Sequence, residues 1–98
     1  MLNIEERHLK IVKGILSKYP YSFYAFGSRA KGNAKKFSDL DLCFFDDISL
    51  HTLSKITEDF EESDLPFKVD IVNWDQCKET FRDLIRDDLV SVQTKSSL

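Results

Sequence analysis

No apolar stretch of the chain approaches the roughly 20 residues that a membrane-spanning helix needs. The first residues, Met1-Leu2-Asn3-Ile4-Glu5-Glu6, are acidic and amphipathic, so they do not read as a signal peptide. Cysteine is scarce: Cys43 and Cys77 both sit in apolar-patterned segments and lack metal-ligand spacing. They read as reduced, buried thiols of a cytoplasmic protein. Proline is confined to Pro20 and Pro66, each just before an apparent strand. Repeats, low-complexity segments and linkers are missing, so 98 residues imply a single domain over 1–98. An excess of positive charge is missing too. The net charge of −3 argues against general nucleic-acid binding through a basic face, and no direct DNA binding is expected.

Against that acidic background, Arg29, Lys31, Lys35 and Lys36 fall within eight residues that contain no acid. A local basic patch of this kind points to a specific anion site. The surrounding pattern alternates helices and strands. Residues 4–18 carry apolar side chains at spacings of three and four and predict a helix. Residues 21–26 (YSFYAF) predict a strand ending at Gly27. Ser28–Lys31 predicts one helical turn stopped by Gly32. Asp39–Phe45 predicts a second strand. Asp47 or Ser49 would cap a helix through Glu62, with Leu50, Leu53, Ile56 and Phe60 inward. Phe67–Asn73 predicts a third strand. Asp75 would cap a further helix with Cys77, Phe81, Leu84 and Ile85 inward, and Leu89–Val92 a short edge strand. The expectation is an α/β (α+β) domain whose sheet is covered at least partly on both faces.

Alternation along a strand puts Asp39 and Asp41 on one face and Leu40, Leu42 and Phe44 on the other. In the third strand Phe67, Val69 and Ile71 read as core, and Asp70 points away from them. Pairing these strands would bring Asp70 beside the other two acids. Three converging carboxylates repel one another unless a cation joins them. Hard divalent cations, Mg²⁺ above all, take such oxygen ligands, and pairs of them serve phosphoryl and nucleotidyl transfer. Either acid motif alone carries little. Gly27 and Ser28 add to it: a glycine lets the backbone approach a ligand, and the N–H groups after it can bind phosphate oxygens.

Gly27-Ser28, ten intervening residues, then Asp39-Leu40-Asp41 resembles the signature of the nucleotidyltransferase superfamily that includes DNA polymerase beta. GSRAKG followed by SDLDL more narrowly resembles the minimal nucleotidyltransferases, usually written GSRARG with a following S-D-x-D-L. Lys31 stands where that pattern has arginine, which keeps the charge and loses the planar fork. VDIV at Val69–Val72 resembles the strand of the third carboxylate. The resemblance implies the nucleotidyltransferase fold, a small mixed sheet of three to four strands flanked by helices. It implies that Gly27 and Ser28 hold the triphosphate of ATP. It implies that Asp39 and Asp41 ligate two Mg²⁺ ions, and that Asp70 ligates the catalytic one and helps activate an acceptor hydroxyl. Arg29 and Lys31, with Lys35 and Lys36, are expected phosphate contacts, Arg29 foremost because it adjoins the motif.

Larger relatives carry a further domain for base or acceptor, and little chain follows Asp70 here. A second surface is therefore expected from a twin subunit or a partner, as a homodimer or hetero-oligomer. The minimal family is typically encoded beside a helical HEPN-type toxin. The resemblance thus implies the antitoxin of a HEPN/MNT toxin–antitoxin pair, transferring AMP from ATP to a toxin tyrosine. The alternative is a non-catalytic antitoxin or subunit that neutralises the same partner by complex formation. His8 and His51 lack a second ligand at metal spacing and read as structural or surface groups. Tyr19, Tyr21, Tyr24 and Trp74 read as packing, and Glu58, Asp59, Glu61 and Glu62 as a solvated helix end.

Overall fold

A computed structural model describes residues 2–95. The first helix, α1, spans Glu6–Leu16 and buries Val12 and Leu16 completely. Its apolar stripe faces inward because these positions recur every three to four residues. It ends where Ser17 turns its hydroxyl back to the Gly14 carbonyl. Strand β1, Phe23–Phe26, leads through Gly27 into the four-residue helix α2, Ser28–Lys31. Gly32 closes α2 in the left-handed conformation, at φ 82°.

Strand β2, Leu40–Phe44, is followed by α3, Leu50–Glu61. Of the two cap candidates, Ser49 caps α3 by accepting from the Thr52 N–H. Strand β3 runs Val69–Asn73, α4 Glu79–Ile85 and β4 Val90–Gln93. Two short 3₁₀ turns, Trp74–Gln76 and Arg86–Asp88, flank α4.

Among the described residues the strands form one sheet in the order β3-β2-β1-β4. β1 is antiparallel to both β2 and β4, whereas β2 and β3 are parallel. A parallel pair needs a long crossover, and α3 supplies it. The expected mixed sheet is therefore present, with β4 at one edge and β3 at the other.

The two faces of the sheet are covered unequally. One face carries Phe23, Ala25, Leu40, Leu42, Phe44 and Val92 under α1 and α3. Truncating a fully buried leucine such as Leu42 in this layer typically costs about 2–5 kcal/mol. The other face carries a small cluster in which Ile85 of α4 meets Phe26 and Cys43. Burial raises the Cys43 thiol to about 11, so it stays protonated and inert.

Three expectations are corrected. Asp75 does not cap a helix: it lies in the 3₁₀ turn, where its N–H donates to the Asn73 side chain, and α4 begins only at Glu79. This shift turns Leu84 outward, 73% exposed, and leaves Phe81 partly exposed against Phe26. Leu50, expected inward, is 81% exposed because the first turn of α3 projects past the layer beneath it. Asp59 is not merely solvated: it accepts from the Tyr19 hydroxyl and pairs with Lys18, tying α3 to the end of α1. That hydrogen bond pushes the Tyr19 phenol up to about 12 and holds the Asp59 carboxyl below its usual range.

Gln93 locks β4 to the turn after α1. Its side-chain nitrogen donates to the carbonyls of Leu16, Tyr19 and Tyr21 at 2.9, 3.0 and 2.9 Å. Two amide protons are thus shared among three acceptors, two of them beyond the last helical residue. Gln93→Ala strands these carbonyls and is expected to lower stability by about 1–2 kcal/mol. Thermal denaturation should show Tm falling by roughly 5–15 °C. A shift within about 2 °C would contradict the role assigned to this amide.

Candidate functional site

The site is built on the turn between β1 and α2. Gly27 has φ 76° and ψ −156°, a region essentially reserved for glycine. A Cβ here would also lie 2.7 Å from Oδ2 of Asp41, so a side chain at residue 27 would push that carboxylate aside. The reason is register, since Phe26, the last residue of β1, stands opposite Asp41 of β2. The first helical bonds of α2 are donated by Ala30 and Lys31 to the Gly27 carbonyl. The N–H groups of Ser28 and Arg29 precede them and have no partner inside the helix. Four residues make little dipole, so any anion here would be held by these turn donors and the Ser28 hydroxyl.

Asp41 and Asp70 are register partners on the parallel strands β2 and β3. Neighbouring strands lie about 4.8 Å apart, so the two carboxylates start from adjacent backbones. Asp39 precedes the first residue of β2 and is exposed, as is Asp70. Asp41 is half-buried. Burial first, then repulsion from Asp70 and Asp39, holds its carboxyl above the usual carboxylate range. Among the described residues, no three His, Cys, Asp or Glu side chains close on one point as a ready-made cage. Mg²⁺ seldom uses such a cage: it keeps waters and takes one or two carboxylates plus substrate phosphates. An all-oxygen set on adjacent strands, with one member already disfavouring its charge, fits that ion.

The four cations separate. Arg29 is 5% exposed and turned inward. Its Nε donates to the Ser38 carbonyl, Nη1 to Asn3 and Nη2 to Lys36, at 2.9, 2.9 and 3.2 Å. The guanidinium lies 4.0 Å from the Phe67 ring centre. Burial lowers its pKa, and Asp39 partly offsets the effect. Its donors are thus engaged with backbone rather than offered at the Gly27 turn. Lys31 is half-exposed and pairs with Asp88 at 3.6 Å. Lys35 and Lys36 are exposed, with the Lys36 ammonium over Phe37.

Cavity size does not mark this corner. One cleft, about 820 Å³, lies between the N-terminal segment and the loop after α2, lined by Asn3, His8, Lys36 and Phe37 among others. A second, about 600 Å³, runs past Phe37 and Pro66 to Asp70. Neither includes Gly27, Ser28 or Asp41. Cleft volume and the convergence of turn donors with carboxylates thus point to different places on the surface. Asn3, and the roles found for Ser38 and Asp88, were not singled out from sequence. Only Ser38 left a local trace, a serine just ahead of the acidic strand, whose hydroxyl accepts from the Lys35 N–H.

Comparisons with known proteins identify the family. Residues 10–96 match the family model described as polymerase beta, nucleotidyltransferase. A Haemophilus influenzae protein named probable protein adenylyltransferase MntA is 45% identical over 98 residues, covering 96% of this chain and 86% of its own. A crystal structure described as a toxin-antitoxin with AMP-PNP shares the fold at TM-score 0.67 and 16% identity, over 90% of this chain and 74% of that one. A Sulfolobus solfataricus structure ascribed to a nucleotidyltransferase superposes at TM-score 0.51 and 23% identity, over 94% and 88%. The chain belongs to the polymerase beta nucleotidyltransferase family.

Proposed function

We propose that this chain transfers AMP from ATP to a hydroxyl on a partner protein, a tyrosine of a HEPN-type toxin, and so acts as the antitoxin of the pair. The observation that carries the reading is the pairing of Asp41 with Asp70 beside the Gly27–Ser28 turn. The name of the 45% identical relative supports a protein as acceptor. The whole chain serves as one minimal catalytic unit acting in the cytoplasm; among the described residues no helix is long and apolar enough to cross a membrane.

Gly27 and the N–H groups of Ser28 and Arg29 receive the triphosphate, with the Ser28 hydroxyl as a further donor. Lys31 exchanges its pairing with Asp88 for a phosphate oxygen. Asp39, Asp41 and Asp70 would hold Mg²⁺, which when bound neutralises charge on the phosphates and on both reacting oxygens. Asp70, on the outer strand of the set, accepts the proton of the acceptor hydroxyl. The hydroxyl oxygen forms a bond to the α-phosphorus as the bond to the β-phosphate oxygen breaks. Pyrophosphate leaves with the displaced electron pair.

The test is label transfer from α-labelled ATP to the product of the neighbouring gene. Asp39→Asn, Asp41→Asn is expected to lower the rate at least about 10²–10³-fold while leaving the complex intact. Tight complex formation and full neutralisation without label on the wild-type pair would replace the enzyme with a stoichiometric binder.

Asp41 also carries a stability cost. Its folded-state pKa is raised, so its favourable contribution is present below the unfolded pKa and is lost as pH rises through the folded value. Asp41→Asn is therefore expected to raise the Tm of the metal-free protein at neutral pH. The gain should shrink toward zero as pH falls through the folded value, where the carboxyl protonates. Scanning calorimetry of both proteins across pH checks this, and a lower Tm for the variant at pH 7 would contradict it.

A further inference from the structure

We propose that Asn3 and Arg29 form a clasp that fixes the loop after α2 and thereby sets where Asp39 stands. This deepens the reading above, since it concerns how one of the carboxylates of that site is placed. Asp39 makes no side-chain hydrogen bond of its own among the described residues and lies outside β2. Its position is therefore inherited from the backbone on either side. Behind it, the Leu40 N–H donates to the Lys68 carbonyl at 2.8 Å and joins the chain to the run into β3. Ahead of it, the Ser38 carbonyl accepts from Arg29 Nε. Asp39 is suspended between these two anchors.

The anchor at Ser38 is part of a larger tie. The same guanidinium takes the Lys36 carbonyl with one arm and the Asn3 carbonyl with the other. Asn3 returns the contact twice. Its backbone N–H donates to the Arg29 carbonyl at 2.6 Å, and its side-chain oxygen accepts from the Ala34 N–H at 2.9 Å. The N-terminal segment thus grips the loop at Ala34, and Arg29 grips it at Lys36 and Ser38. Phe67 closes the arrangement from below, with the guanidinium over its ring. No lysine can reproduce a planar group bonded in three directions and stacked on a ring. Arg29 is on this geometry a positioning residue, acting through the backbone of Asp39 rather than on phosphate.

Two readouts test the clasp without relying on turnover. Amide hydrogen exchange is followed at Ala34–Leu40, and Mn²⁺ affinity is measured by water-proton relaxation. The proteins are the full chain, Asn3→Ala and Arg29→Lys. Asn3 has an exposed side chain, so its variant keeps the fold even if Arg29→Lys does not. Asn3→Ala is expected to speed loop exchange about tenfold or more and to weaken Mn²⁺ binding, and Arg29→Lys to weaken it by about 10–100-fold, the range seen for groups that orient metal ligands. ATP affinity in EDTA is expected to stay within about twofold for Asn3→Ala, because the turn that receives the triphosphate is untouched. Wild-type exchange and Mn²⁺ affinity in Asn3→Ala would overturn the clasp. So would Arg29→Lys with wild-type Mn²⁺ affinity, or an Arg29→Met that loses ATP in EDTA where Arg29→Lys keeps it, for then the charge itself is what matters. Mn²⁺ affinity that tracks the clasp in a protein that never labels its partner would support the clasp and reject nucleotidyl transfer.

Discussion

The close approach of the Gly27 backbone to the Asp41 carboxylate is the contact on which the rest of the site depends. It exists because β1 and β2 are antiparallel and Phe26 is in register with Asp41. A side chain at residue 27 would meet the carboxylate at 2.7 Å, and the backbone conformation excludes other residues independently. Two separate demands thus fall on one position. Meeting them places the donors of the turn next to the carboxylates that a nucleotide's metal ions would use. On the other side of β2, the parallel pairing with β3 adds Asp70 at the same level. The sheet order therefore converts a linear motif into a corner where the turn's backbone donors and the carboxylates meet.

That corner is built at some expense to the fold. Asp41 is held in a half-buried place where burial and its neighbours both oppose its charge. Arg29 is a buried cation whose desolvation is offset by three carbonyls and a ring. The opposite face of the sheet, with its wholly apolar layer under α1 and α3, supplies the stability that tolerates these features. The division of labour is not purely by face: Arg29 stacks on Phe67, which belongs to that apolar cluster, whereas Asp41 alternates to the other side of the sheet.

Much of this was legible in the sequence because it is encoded locally. Strand alternation separated Asp39 and Asp41 from Leu40 and Leu42, and the same rule turned Asp70 away from Val69 and Ile71. Gly27 and Gly32 marked the two ends of α2 through the backbone angles that glycine permits. The failures share a cause. Arg29 looked like a phosphate contact because it adjoins the motif, but its partners Asn3 and Phe67 lie far along the chain in both directions. Asp75 looked like a cap, but the Asn73 side chain took that turn, and Arg82 stapled it by donating to the Trp74 and Asp75 carbonyls. Leu50 and Leu84 fit an apolar stripe in number and not in reach. Periodicity shows which side of a helix is apolar, but it does not show where the layer beneath that helix ends.

The central claim is that the backbone conformation of residue 27 and its close approach to Asp41 together, rather than positive-φ glycines in general, make the proposed nucleotide site. Gly32 provides the control, since it also has positive φ but has nothing within 4 Å of the place a methyl group would take. The measurement is calorimetric titration of Mg·ATP into wild type, Gly27→Ala and Gly32→Ala. The account predicts that Gly27→Ala weakens binding by about tenfold or more, while Gly32→Ala, strained in backbone alone, stays within about threefold. Equal affinity in the two variants would contradict it.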